Sequence, residues 1–461
     1  MSPGTVHGQS AERPQPAYDG RVETEGSRRR RALAAGLLGL ATLLPGCSAV
    51  PASVAPPTHS SAPGETRHST DAAAARERAL QELLDRRAAA VRSRDREAFA
   101  AALDNPHSGF GLRQLELFDT LARLPIGTFE YATPEAAPAL SAQRASQVGP
   151  EAWVARVEGR YTLRGYDRGP RQFETHLTAV RREGGWRLAD DSDGGTQPQL
   201  WDLPDLTVVR SSSTLVVGSG PPSRLREYLR LGDQAVARVA RTWTRPWGSR
   251  LVLVVPATAE QMAGQLGQDA ASVEQVAAVT DGTIGADGRA GADRVVVNPG
   301  AFARLRPDGR RVVITHEATH VAIRASTTRP VALWLSEGMA DYVGYGGLGL
   351  PRERVAAPLL TRVRQGSGPK TLPTEADFDP ATSTIAPSYN AAWLAVSLIA
   401  DRHGDAALVR FYLDAALLES SHDPPGDPAE NARAAFADVL GTSEQAFTRD
   451  WLRYLDTLAL R

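Results

Sequence analysis

The feature that most constrains this chain is the stretch 312–320, with the sequence V-V-I-T-H-E-A-T-H. It carries two histidines four residues apart, His316 and His320, with apolar residues on its flanks. Residues four apart lie on one face of an α-helix, so both imidazoles can bind one metal ion. Glu317 lies about 100° further round such a helix. It can therefore act on a water molecule beside the metal without becoming a ligand. The spacing predicts a helix that carries a metal site.

A catalytic zinc ion needs a third protein ligand, and the sequence after His320 offers one. One known pattern, H-E-x-x-H-x-x-G-x-x-H, is excluded because its last two fixed positions hold Ile323 and Ser326. The segment L-W-L-S-E-G-M-A-D-Y instead supplies Glu337 and Asp341, which share one face of a second predicted helix. Glu337 can be the third ligand. Asp341 can accept the second N–H of a ligand histidine and so fix its tautomer.

The motifs H-E-A-T-H and W-L-S-E-G-M-A-D-Y together resemble the gluzincin metallopeptidases, the thermolysin-like and aminopeptidase-like group also called peptidase-MA-like. The resemblance implies that His316, His320 and Glu337 bind zinc. It also implies that Glu317 is the general base and that Asp341 supports a histidine. A thermolysin-like catalytic domain, with a small mixed sheet and a helical bundle, and a peptide or protein substrate are the further expectations. The resemblance covers the two motifs; the rest of the domain matches in pattern only.

A tyrosine is the next expected component of the site. In aminopeptidase-like gluzincins, a tyrosine some way after the glutamate ligand donates its hydroxyl to the oxyanion. Tyr389, which begins a predicted helix, is our candidate for that role, and Tyr342 and Tyr345 are its rivals. The connection 321–336 is shorter than in the best-known gluzincins, and no G-x-M-E-N signature is present. This argues against aminopeptidase activity.

A strand is predicted just before the first metal-binding helix, at 294–299. In the gluzincins this strand edges the cleft, where an extended peptide can add to it through backbone hydrogen bonds. We expect Val295 to Asn298 to bind substrate in the same way.

The N-terminal segment 1–47 has the pattern of an export signal. Arginines at 28–31 precede a short apolar run at 32–44, which is followed by L-P-G-C ending at Cys47. The segment resembles a bacterial lipoprotein signal, in which Cys47 becomes the lipid-modified first residue. An uncleaved signal anchor is the alternative. The expected location is the outer face of the bacterial cytoplasmic membrane, with the protein held by lipid.

The remaining sequence divides by pattern into a tether and two domains. Residues 48–72 are rich in Pro, Ser, Ala, Thr and Gly, which predicts a disordered tether. Residues 73–200 read as helices followed by antiparallel strands ending in G-W-R-L, and they resemble the cone-shaped α+β domain of nuclear transport factor 2-like proteins. Residues 205–461 would form the peptidase domain. The predicted fold class is therefore α+β throughout.

Several other residues could bind metal or act in catalysis, but each also has a structural explanation. A surface or hydrogen-bonded role is the expectation for His107 and His176, although a cone domain can carry a catalytic histidine. Simple turns are the expectation for Asp281, Asp287 and Asp293, because their spacing fits no calcium loop.

Composition sets limits on partners and stabilisation. The chain has 52 Lys and Arg against 53 Asp and Glu, and this balance gives no indication of a nucleic-acid partner. Its single cysteine, Cys47, excludes an internal disulfide. The predicted function is zinc-dependent hydrolysis of peptide bonds. A catalytically silent binding module, or a protein whose cone domain is the main ligand-binding unit, is the alternative.

Overall fold

The structure is a computed structural model that describes residues 63–137, 139–379, 385–417 and 427–461. The predicted signal segment with Cys47 lies outside the described residues, as does the predicted tether up to residue 62. None of the described helices is long and apolar enough to cross a lipid bilayer.

The N-terminal part of the chain is an antiparallel sheet with helices on one face. Its elements are α1 (Pro63–Ser93), α2 (Arg96–Ala100), α3 (Gly109–Arg123), β1 (Ile126–Tyr131), β2 (Glu135–Ala136), α4 (Ala142–Val148), β3 (Trp153–Leu163), β4 (Arg171–Arg182) and β5 (Gly185–Asp190). The strand order is β1-β3-β4-β5, with β2 on β3, and every pair is antiparallel. Because α1 begins at Pro63, residues 63–72 of the predicted tether are helical.

The inner face of this sheet follows from the alternation of its strands. Side chains at alternate positions of β3 and β4, such as Val157 and Leu177, are buried beneath α1 and α3. Gly159 lies opposite Phe173, and a Cβ at Gly159 would come within 2.1 Å of the Phe173 ring. The glycine therefore makes room for an aromatic ring in the core.

The C-terminal part combines a mixed sheet with a large set of helices. Its elements are β6 (Leu206–Arg210), β7 (Thr214–Ser219), α5 (Pro222–Thr242), β8 (Leu251–Val255), α6 (Ala259–Leu266), α7 (Ala270–Val273), β9 (Ala278–Asp281), β10 (Arg294–Val297), α8 (Pro299–Ala303), α9 (Pro307–Arg324), α10 (Leu333–Tyr345), α11 (Arg352–Val355), α12 (Ala357–Arg364), α13 (Ile385–His403), α14 (Asp405–Ala415), α15 (Pro428–Leu440) and α16 (Glu444–Ala459). The strand order is β6-β7-β8-β10-β9. The two central pairings are parallel and the two outer ones antiparallel. The predicted α+β class is confirmed by this mixture of helices and strands.

The second sheet is buried on both faces, which explains the unbroken apolar sequence of β8. Leu253 faces α5, α9 and the later helices, whereas Val254 belongs to the same apolar cluster as Phe173 and Trp201 of the N-terminal part. The sheet is therefore a middle layer, and the two parts of the chain share a core.

Buried charges also join the two parts. The loop between β3 and β4 carries Asp167, whose two oxygens each accept a 2.7 Å hydrogen bond from Arg294 at the start of β10. Both side chains are at most 2% exposed. Nearby, Arg171 of β4 forms an ion pair with Asp281 of β9. The N-terminal sheet is thus tied to the two strands that lie beside α9.

The pairing of β10 corrects the expected edge strand. Val295 lies opposite Leu253 on one side and Thr280 on the other, so β10 is internal and cannot receive an added strand. The outer strand is β9, which pairs with β10. The expectation for Val295 to Asn298 was wrong because the short strand β9, in a sequence with many turn residues, was not recognised.

Candidate metal centre

Helix α9 presents His316, Glu317 and His320 in its most deeply buried section. Every residue from Val312 to Ile323 is buried, because α9 packs against β9, α5 and α10. The three residues are at most 4% exposed. A buried polar group costs free energy unless it has a partner. These three groups, on two adjacent turns of α9, therefore require polar or charged partners.

Glu337 of α10 faces the two histidines. The Nε2 atoms of His316 and His320 lie 3.0 Å apart. Glu337 Oε2 is 3.2 Å from His316 Nε2, and Oε1 is 3.6 Å from His320 Nε2. Tetrahedral zinc with ligands at about 2.0–2.2 Å requires ligand atoms roughly 3.3–3.6 Å apart. The three side chains therefore need only small adjustments to hold one ion.

The carboxylate of Glu337 shows why a cation fits. It is 1% exposed, and neither oxygen has a hydrogen bond of good geometry. Although burial alone would raise the pKa of this carboxyl, its interactions with His320 and His316 lower the pKa to about 2. The site thus contains a buried negative charge and two imidazoles directed at one point. These residues could hold a metal ion.

Asp341, one turn after Glu337, orients His316. Its Oδ1 lies 2.8 Å from His316 Nδ1. When Nδ1 donates to this carboxylate, Nε2 is free to coordinate a metal. Burial opposes a charge on His316, but the carboxylates of Asp341 and Glu337 outweigh it and raise the His316 pKa well above its ordinary value. A metal ion must therefore displace a proton, which makes its affinity depend on pH.

Glu317 has a neighbour that sequence reasoning missed. Thr280 of β9 donates its hydroxyl to Glu317 Oε2 at 2.7 Å and lies 3.2 Å from the Glu317 carbonyl oxygen. Burial raises the pKa of the Glu317 carboxyl, and the two imidazoles and Thr280 offset only part of that effect. A raised pKa suits a group that must both accept and release a proton near neutral pH.

Gly338 sets the depth of Glu337. A Cβ at this position would lie 2.6 Å from the carbonyl oxygen of Ala392 and 2.7 Å from the side chain of Val396. Helix α10 can therefore approach α13 closely only because residue 338 has no side chain. This close packing fixes the position of the adjacent carboxylate relative to α9.

Of the tyrosine candidates, Tyr389 lies beside the histidines. Its ring centroid is 6.5 Å from that of His316, and the residue is buried in α13. Tyr342 instead donates its hydroxyl to Asp405, at 2.6 Å. Tyr345 packs its ring against another aromatic side chain. Of the three candidates, Tyr389 is therefore the one with a ring contact to a histidine of the metal centre.

The remaining candidates have structural surroundings. His107 is exposed and His176 is half-buried, both in the N-terminal part. Three aspartates of the 281–293 loop each pair with an arginine rather than with one another, in the pairs Asp281–Arg171, Asp287–Arg289 and Asp293–Arg324. They do not converge on a cation.

Comparisons with known proteins add no family assignment. No protein-family model matches this chain, and no curated protein matches it. The geometry of the candidate metal centre is therefore the basis for a functional assignment.

Proposed function

We propose that this protein is a zinc metallopeptidase of the gluzincin type. The observation that carries the proposal is the convergence of His316, His320 and Glu337 on one buried point, with Glu317 held beside them by Thr280. Two imidazoles and one carboxylate are a ligand set used by catalytic zinc, and they leave one coordination position open.

The proposed reaction uses Glu317 as a proton carrier. Zinc bound here would act as a Lewis acid that polarises the scissile carbonyl and activates water. The Glu317 carboxylate accepts a proton from the water molecule as its oxygen bonds to the carbonyl carbon. The C–N bond then breaks, and Glu317 returns the proton to the leaving amine nitrogen, which regenerates the carboxylate.

Tyr389 and β9 would supply the remaining interactions with substrate. The Tyr389 hydroxyl is our candidate donor to the oxyanion that forms on the carbonyl. Strand β9 is the outer strand of its sheet and carries Thr280, which contacts the general base. An extended peptide paired with β9 would therefore pass close to Glu317.

The rest of the chain would present this enzyme outside the cell. We propose that the N-terminal part has a nuclear transport factor 2-like fold, because helices cover one face of an antiparallel sheet. We also propose that the protein is exported and anchored through lipid on Cys47. Replacing Cys47 with serine should release it from the membrane fraction, and an unchanged distribution would contradict the lipid anchor.

Substitution of the general base tests the peptidase proposal. Glu317→Ala should keep bound zinc but lose roughly 10²–10⁴-fold in peptide cleavage, the range for removing general acid–base catalysis. Zinc content and cleavage of a peptide library are the measurements. The exposed Glu274→Ala is the matched control and should behave as the unsubstituted protein. An active Glu317→Ala protein would refute the assignment. Zinc binding without any cleavage by the unsubstituted protein would favour the silent binding module.

A further inference from the structure

A cavity lies inside the N-terminal part, away from the metal centre. It is partly open to solvent and is lined by α1, α3, the inner face of the sheet and the segment 196–202, and its volume is about 80 Å³. At roughly 10–15 Å³ for each water molecule, this corresponds to about five to eight water molecules. Aromatic side chains, including Phe129, Phe173 and Trp201, form much of its wall. The cavity therefore suits a small molecule with an apolar portion.

One buried cation lines this cavity and lacks a full set of partners. Arg87 of α1 is 2% exposed. Its guanidinium lies over the ring of Phe99 at 3.8 Å, Nε donates to the Tyr131 hydroxyl at 3.4 Å, and Nη2 donates to the side-chain oxygen of Gln114. Nη1 is buried and has no hydrogen-bond partner. A buried guanidinium with an unsatisfied N–H group is costly, and an anion would satisfy it.

Asp191, a carboxylate in the wall of the cavity, does not fill this role. Asp191 accepts a 2.8 Å hydrogen bond from Gln114 Nε2 and pairs with Arg113 at the surface. Gln114 therefore separates Asp191 from Arg87, and the positive charge of Arg87 has no direct carboxylate partner among the described residues. The arrangement holds the guanidinium through Nε and Nη2 and leaves the two N–H groups of Nη1 for a ligand.

The other charged residues of the wall limit the charge of that ligand. Glu174, Asp191 and Asp202 also line the cavity. A second negative charge on the ligand would meet these carboxylates at close range, which is unfavourable in a site of low dielectric constant. A single negative charge next to Arg87 and an uncharged remainder match the cavity best.

We propose that this cavity binds a small monocarboxylate, with its carboxylate on Arg87 and its apolar portion against Phe129, Phe173 and Trp201. A branched short-chain acid has the appropriate size. The site is independent of the proposed peptidase reaction, because it uses none of the residues of the metal centre.

Calorimetric titration of the full chain with isovalerate, and with its uncharged analogue isovaleramide, tests the proposal. Isovalerate should bind at least about tenfold more tightly than the amide, because only the acid gains a charge-assisted hydrogen bond from the guanidinium. Arg87→Met should abolish this preference. The control Arg86→Met removes the same charge from the exposed face of α1 and should retain it.

Two further variants keep the result unambiguous. His320→Ala should bind isovalerate unchanged, whereas loss of binding there would assign the carboxylate to the metal centre and overturn the proposal. If Arg87→Met does not fold, Leu117→Trp, which fills the cavity from α3, should abolish binding instead. Equal affinity for acid and amide, or no binding of isovalerate to the unsubstituted protein, would also overturn it.

Discussion

Two buried sites in the described part of the chain contain polar groups without hydrogen-bond partners, and those groups have opposite charge. In the metal centre, a carboxylate without hydrogen bonds lies against two imidazoles, so that centre favours a cation. In the N-terminal cavity, Nη1 of the Arg87 guanidinium has no hydrogen-bond partner, so this group favours an anion. The first is built from side chains four residues apart on two helices. The second arises from the space left between helices and a sheet. The difference shows that a short motif can specify a ligand set, whereas a cavity depends on how distant elements pack.

The two centres are connected through strands that touch one another. Arg171 of β4 forms an ion pair with Asp281 of β9, and the adjacent Thr280 donates a hydrogen bond to Glu317. Phe173, two residues after Arg171, lines the cavity. Substitutions in each centre can therefore show whether the two centres act independently.

The largest expected effect is the loss of zinc affinity in a variant of the metal centre, with no such loss in a variant of the cavity. His320→Ala removes one of the three proposed ligands and should weaken zinc binding on the order of a thousandfold or more, because each ligand contributes several kcal/mol. Arg87→Met should leave zinc affinity unchanged. Competition with a chromophoric chelator measures both. Zinc affinity that falls in Arg87→Met would show that the two centres are coupled.

The next effect tests whether the two parts unfold together. Arg294→Met leaves the buried Asp167 carboxylate unpaired and should lower the free energy of unfolding by about 3–5 kcal/mol. Denaturant unfolding should still show a single transition, because the two parts share a core. The control Arg289→Met breaks a surface pair and should cost less than about 1 kcal/mol. Separate transitions for the two parts would contradict the shared core.

A smaller effect is expected from the residue that orients a ligand. Asp341→Asn weakens the hold on His316 Nδ1 and should reduce zinc affinity about 10–100-fold, the range for losing such a hydrogen bond. Asp405→Asn, which changes a carboxylate bonded to Tyr342, serves as the control and should not alter zinc binding. An unchanged affinity in Asp341→Asn would show that packing alone orients His316.

The smallest effect concerns the N-terminal part alone and depends on pH. Asp193 accepts hydrogen bonds from Arg144 and from Thr178, and the Arg144 hydrogen bond is the main cause that lowers the pKa of its carboxyl. A lowered folded-state pKa stabilises the protein above the ordinary pKa, and this stabilisation is lost as pH falls through the folded-state pKa. Asp193→Asn should therefore cost about 1 kcal/mol at pH 7 and progressively less below about pH 4. Urea unfolding of both proteins at pH 7 and below about pH 4 measures this difference in the free energy of unfolding. A cost that does not change with pH would contradict the role of the charge.

The parts of the site that follow a local rule could be predicted from the sequence. His316, His320, Glu337 and Asp341 lie four apart in pairs on helices, and helical periodicity alone brings each pair to one face. The strand predicted at 294–299 likewise corresponds to β10, Arg294–Val297.

The parts that depend on tertiary packing could not be predicted. Thr280 contacts Glu317 across 37 residues, and β9 has only four residues before a turn, too few for a pattern. Arg87 is one arginine among many on an amphipathic helix. Only the packing of α1 against α3 and β1 determines that Arg87 is buried while Arg86 is exposed.

The pairing of Asp167 with Arg294 also has a consequence for synthesis of the chain. The two residues are 127 positions apart, and the aspartate emerges from the ribosome before the arginine has been added to the chain. Until β10 has been made, the loop after β3 holds a carboxylate without its arginine, and the aromatic face behind it has no second sheet to cover it. The N-terminal part therefore cannot complete its buried ion pair and its apolar core until β10 has been synthesised.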